Sequence, residues 1–308
     1  MPVAFVSHAD CGRHDTGWNH PEHVGRLRAI TRALRGDQTL FDGLVHVEGR
    51  HATTDELALA HDRRYIARVQ SLALAGGGQL DGDTVASAGS WDAATAGAGC
   101  LLDAVDMAFD GRATRSFCAV RPPGHHAMRA AGMGFCLFGN VAVAAHYARA
   151  RHAARRVLIV DWDVHHGNGT QALVEGTPDI HFISMHQWPW YPGTGAADDR
   201  GPHGSVWNVP MAPSLDPQVY VDALERAIDA ATVGFTPDLV LISAGFDSMA
   251  GDPLGAFTLR LEDFDALTRS LVSRADVWCG GRIVSALEGG YAPEALAQAV
   301  VTHLVALG

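Results

Sequence analysis

The segment VLIVDWDVHHGNGT, residues 157–170, passes from four apolar residues straight into two aspartates and two histidines. Such side chains are costly to bury unless something compensates them. In an extended chain, residues two apart point to the same side, about 6–7 Å from one another. Asp161, Asp163 and His165 therefore share one face, while Trp162, Val164 and His166 take the other. Oxygen and nitrogen donors on one side suit a divalent cation, zinc above all. A catalytic zinc takes three protein ligands and leaves a position for water. Asp-x-His alone equally suits a strand end whose carboxylates cap backbone N–H groups. A third ligand has to come from another strand exit. Asp247 in LISAGFDS is the candidate, with an N-cap to the following turn as its alternative.

His125 and His126 stand side by side in RPPGHHA, introduced by two prolines and a glycine. Two imidazoles near an activated water can act as general base and general acid, each typically contributing about 10²–10⁴ in rate. Asp161 can set the tautomer of His125, and Asn168 can orient His126 without adding charge. Either histidine can equally be a satisfied structural residue. Tyr291 follows two glycines in LEGGYAP, where the backbone can turn sharply. Its hydroxyl can bond a developing oxyanion, or its ring can serve packing alone.

These groups need a frame. Short apolar runs at residues 116–120, 157–160, 180–185, 238–245 and 282–287 predict strands. Helices are predicted over 91–109, 139–150, 217–231, 258–276 and from Pro293 to the end. The alternation is that of a mostly parallel open sheet covered by helices in one α/β domain, residues 1–308. Each strand is followed by a polar cluster: RPPGHHA, DWDVHHGNG, SMHQWPWYPGTG, FDSMAGDPLG and EGGYAP. In open parallel sheets the ligand crevice lies at the C-terminal strand ends, so the five clusters predict a single active site.

Composition narrows the classes. No apolar run is long enough to span a bilayer, and the N-terminus lacks a secretory pattern. Five scattered cysteines without CxxC spacing favour a reducing, cytoplasmic setting. A formal net charge of −11 with no basic run argues against nucleic-acid binding. An acidic surface would favour cationic substrates such as polyamines or basic peptides. Nothing in the sequence reports an oligomeric state.

Together, RPPGHHA, GFC (residues 134–136), DWDVHHGNGT, SAGFDSMAGDPLG and LEGGY resemble the arginase/deacetylase superfamily, specifically the zinc-dependent histone-deacetylase-like amidohydrolases. The resemblance runs from NHPEHVGRL at 19–27 to EGGYAPEAL at 288–296 and is closest to the class II branch and its bacterial relatives. It implies an arginase/deacetylase-type fold and hydrolysis of an acyl-lysine amide in a protein or peptide, or of an acylated small amine such as a polyamine. It implies one catalytic Zn²⁺ held by Asp163, His165 and Asp247, with His125 and His126 as the acid/base pair and Tyr291 on the carbonyl oxygen. Gly134 would take the substrate N–H, and Phe135 and Tyr191 would wall the acyl-lysine tunnel. A structural K⁺ would be held by the Asp161 and Ser184 side chains and the backbone carbonyls of Asp163, His165 and Met185. Asn168 stands where the class I branch carries Asp, and Leu254 where polyamine-selective relatives place Glu. His20, Glu22 and Arg26 would form a loop at the rim, with Asp83 as an acidic rim residue holding substrate backbone. A non-catalytic acyl-amine sensor is the alternative from another class, and a two-metal ureohydrolase lacks its second ligand set.

Overall fold

A computed structural model describes residues 2–17 and 19–308. Its strands are β1 (Val3–Ser7), β2 (Val45–Glu48), β3 (Gly77–Gln79), β4 (Val85–Ser87), β5 (Arg115–Cys118), β6 (Val157–Asp161), β7 (Ile180–Gln187), β8 (Val206–Met211), β9 (Leu239–Ala244) and β10 (Ile283–Leu287). Eight of them form one sheet in the order β2-β1-β5-β10-β9-β6-β7-β8, and β3 pairs with β4 in a separate hairpin. Every pairing in the large sheet is parallel. All its strand exits therefore lie along one edge.

The central strands β6, β9 and β10 are buried along their whole length, as expected where helices cover both faces. Their side chains alternate between two cores. Val157, Ile159, Leu239 and Leu241 join the layer under the helices Ser90–Asp110 and Asn140–His152. Leu158, Val160, Val240 and Ile242 join the layer under Gly25–Gly36, Pro217–Ala231, Leu261–Cys279 and Pro293–Leu307.

The five strands expected from sequence all form, but the sheet has eight: β2 and β8 close its two edges, and the buried β1 lies between β2 and β5. β2 is mostly exposed and carries His46 and Glu48. β8 holds Pro210, which an edge strand tolerates. Neither shows the continuous apolar run of a central strand. The helix expected over 258–276 occupies Leu261–Cys279 instead. The Asp263 carboxylate accepts the Arg260 N–H at 2.7 Å to start it, and Gly280 in the left-handed region ends it. No helix among the described residues is long and apolar enough to cross a membrane.

Candidate active site

β6 ends at Asp161, yet the alternation expected from a strand continues through the bend after it. Trp162 and Val164 turn into the core, and Asp161, Asp163 and His165 turn toward the histidine pair. One donor atom each from Asp163, His165 and Asp247 lie within 4.8 Å of one another. His165 Nδ1 is 3.0 Å from Asp163 Oδ1 and 3.3 Å from Asp247 Oδ2.

Backbone N–H groups hold the other carboxylate oxygens. Gly289 donates to Asp163 Oδ2 at 2.8 Å, and Val164 donates to Asp247 Oδ1 at 2.9 Å. Asp247 Oδ2 is buried and accepts no hydrogen bond, even with His165 Nδ1 nearby. Burial and the Asp163 charge push the Asp247 carboxyl up to about 7. An oxygen left bare in a buried Asp₂His set is what a divalent ion would satisfy, so the residues fit a zinc. Gly289 packs so closely on this set that a Cβ there would overlap both aspartates.

His125 donates from Nδ1 to Asp161 Oδ2 at 3.0 Å, and His126 donates from Nδ1 to Asn168 Oδ1 at 2.7 Å. Both pairings are those expected from sequence. They leave each Nε2 as the atom that can exchange a proton. Burial presses the His125 imidazole down, but Asp163 and Asp161 beside it hold it well above the ordinary range. Burial and the neighbouring His125 and His165 hold His126 well below it. The surroundings thus push the two imidazoles in opposite directions.

A cavity of about 260 Å³ opens onto this group. Its buried lining includes His126, His165 and Tyr291; Trp190 and Tyr191, 44% and 38% exposed, stand at its outer side. Gly134 and Phe135 form part of the wall, both in the left-handed region with φ 55° and 67°. At Gly134 a Cβ would run into the His126 ring. The hairpin loop between β3 and β4 fixes this turn: Asp83 Oδ1 accepts the Gly134 N–H and Thr84 Oγ1 accepts the Phe135 N–H, both at 3.0 Å. Asp83 and Leu254 line the cavity as expected. His20 does not; it sits edge-on behind Phe135 with centroids 4.7 Å apart. Asp161 and Ser184, fully buried, are partners in the β6–β7 ladder. Met185 buries its side chain in the core.

Glu22 and Arg26 are not at the rim. Both are fully buried, because they bind charges that would otherwise be stranded. Glu22 Oε1 accepts from Arg26 at 3.1 Å and from Arg121, whose second nitrogen donates to Oε2 at 2.7 Å. Arg26 also donates to the Glu288 and Gly290 carbonyls and lies 4.9 Å over the Tyr291 ring. Sequence reasoning missed Glu288 as well. Its buried carboxylate accepts the Gly124 and His125 N–H groups at 2.6 and 3.1 Å, tying the histidine loop to the loop that carries Tyr291. The glutamate directly before the Gly-Gly-Tyr was the available signal. Trp190, whose indole N–H donates to the Leu254 carbonyl at 3.0 Å, was passed over within an aromatic-rich loop.

A family model described as "Histone deacetylase domain" matches residues 20–307. The Synechocystis protein named "Uncharacterized protein slr0245" is 44% identical over 306 residues, 98% of each chain. The "Histone deacetylase-like amidohydrolase" of Pseudomonas aeruginosa is 40% identical over 245 residues, 78% of this chain and 64% of that one. Among solved structures, the HDA15 HD domain matches with a TM-score of 0.94 and 35% identity, across 100% of this chain and 88% of that one. With this match over nearly its whole length and the same parallel α/β architecture, the chain belongs to the histone deacetylase family of hydrolases.

Proposed function

We propose that the protein hydrolyses the acyl amide of an acetylated lysine side chain, using one divalent metal, Zn²⁺, held by Asp163, His165 and Asp247. The observation that carries this is the bare Asp247 Oδ2 in a buried three-donor set that opens, through His165, onto the same cavity as His126 and Tyr291. When bound, zinc supplies Lewis acidity toward an acyl oxygen and lowers the pKa of water. The remaining work falls to the chain. His126, kept neutral, takes a proton at Nε2 from the attacking water. His125, oriented by its Nδ1 hydrogen bond to Asp161, returns a proton to the departing amine. The Tyr291 hydroxyl donates to the oxyanion that forms on the acyl oxygen as the carbon becomes tetrahedral, a contact typically contributing about 10²–10³ in rate.

Gly134 offers its carbonyl to the substrate amide N–H. Phe135 and Tyr191 close on an apolar stem, which favours a long thin side chain. A K⁺ ion between Asp161 and Ser184 would offset the buried carboxylate behind His125. Five buried free thiols support a reducing, cytoplasmic setting.

The substrate amine is tested by measuring kcat/KM on an acetyl-lysine peptide against acetylputrescine. A clear preference for the peptide is expected. Preference for the diamine would move the assignment to small acylated amines, and turnover of neither would sink it.

A further inference from the structure

The exits of β1 and β2 bring together a second group of donors that shares no residue with the site above. His8 caps the short 3-10 turn Ala9–Arg13 after β1, Asp10 lies within that turn, and His51 follows β2. One donor atom from each lies within 4.8 Å of the others. His51 Nε2 is 3.1 Å and His8 Nδ1 3.8 Å from the same oxygen, Asp10 Oδ2. The two rings meet edge to face with centroids 4.7 Å apart. Two ligands of a tetrahedral zinc at about 2.0–2.1 Å are separated by about 3.3–3.4 Å. The spacings found here bracket that separation.

The hydrogen bonds around His51 determine its tautomer. The Thr95 hydroxyl donates to the Trp91 carbonyl at 2.9 Å, with the Asp92 carbonyl at 3.1 Å as its other acceptor. Its one proton is committed there, so in the 2.8 Å contact with His51 Nδ1 the imidazole donates. In the neutral ring Nε2 then carries a lone pair, and it faces a carboxylate oxygen. Two acceptors 3.1 Å apart call for a cation. His8 Nδ1 is also a lone-pair nitrogen, since it accepts the Asp10 N–H at 3.1 Å. Arg13 approaches the other Asp10 oxygen at 3.4 Å and makes its closer pair, 2.5 Å, with Asp92. Oδ2 is left to the histidines.

We propose that His8, Asp10 and His51 form a second, surface metal site for Zn²⁺ or a similar divalent transition ion, stapling the β1 exit to the β2 exit. Imidazole and carboxylate donors suit such an ion. The three side chains are 15%, 25% and 40% exposed, so an ion reaches them from solvent and water completes its coordination. On loading, the Asp10 N–H releases His8 Nδ1 and turns to water. The competing occupant is a proton on His51 Nε2, which gives an ion pair with Asp10 and takes up no metal.

Equilibrium dialysis across rising free Zn²⁺, with metal counted per chain, separates the two. Wild type is compared with His51→Ala and Asp10→Asn, and amide hydrolysis is followed in parallel. Wild type is expected to take up one equivalent more than either variant, or to bind it at least about tenfold more tightly, while hydrolysis stays unchanged. Because the difference between proteins is read, the result does not depend on how the first site is filled. Equal zinc uptake by wild type and both variants at every concentration would overturn the proposal.

Discussion

Asn168 separates His126 from His125 without adding charge. The neutral amide holds the His126 Nδ1–H at 2.7 Å, whereas His125 faces the Asp161 carboxylate at 3.0 Å. Asn168 stays oriented because its amide nitrogen lies 3.3 and 3.5 Å from the Met128 and Met133 sulfurs. Replacing it tests the assignment of His126 as base. In Asn168→Asp a carboxylate would favour the imidazolium and raise the His126 pKa, by about one to three units. A base must be deprotonated to act, so the acidic limb of the kcat/KM profile is expected to move to higher pH. An acidic limb that stays in place would remove His126 from that role.

The loops after β5 and β10 carry the histidine pair and Tyr291, and one ionic network at their back joins them. Burial by itself would raise the Glu22 carboxyl, but Arg121 and Arg26 pull it down to about 2. Glu22→Gln leaves two guanidiniums buried without their counter-charge, a change that typically costs about 3–5 kcal/mol. Urea denaturation is expected to show a loss of that order, and an unchanged midpoint would mean that the carbonyl acceptors of the two arginines suffice. This network also marks how far the sequence could be read. The donors at strand exits were legible, because charged residues after apolar runs demand compensation within a few residues. Asp247 was legible for the same reason, although it lies on another strand. Glu22 was placed at the rim from the resemblance alone, and nothing local in the sequence corrects that, since its partner Arg121 is 99 positions away. The edge strands were missed because their half-exposed residues show no continuous run. The hairpin carrying Asp83 and Thr84 had no periodicity at all, since each of its strands has three residues.

Across the whole molecule, several histidines are buried in neutral form, and this sets the response to acid. His61 Nε2 accepts the Gly139 N–H at 2.8 Å, so protonating it would break that bond. His303 is enclosed with Thr268 and Ser285 as its partners. Burial lowers His61 to about 4, His186 to about 4 and His303 to about 3, from an unfolded value of 6.5. Between pH 6.5 and 4 the unfolded chain binds protons that the folded chain refuses, so stability falls as pH falls. The slope is about 1.4 kcal/mol per pH unit for each such histidine. Glu288 and Asp247, both raised to about 7 by burial, act in the opposite sense, but His14 and His166, lowered to about 4 and about 3, act with the other three histidines, and five groups outweigh two. Urea midpoints are therefore expected to drop steadily from pH 6.5 to 4; a flat or rising series would contradict the buried neutral histidines. The central claim is more direct still: a metal-dependent amide hydrolase in which Tyr291 stabilises the oxyanion. Its test is hydrolysis of an acetyl-lysine peptide by wild type and Tyr291→Phe, with zinc measured in each. Activity falling by about 10²–10³ at equal zinc content is the predicted result; full activity in Tyr291→Phe, or hydrolysis by protein stripped of metal, would contradict it.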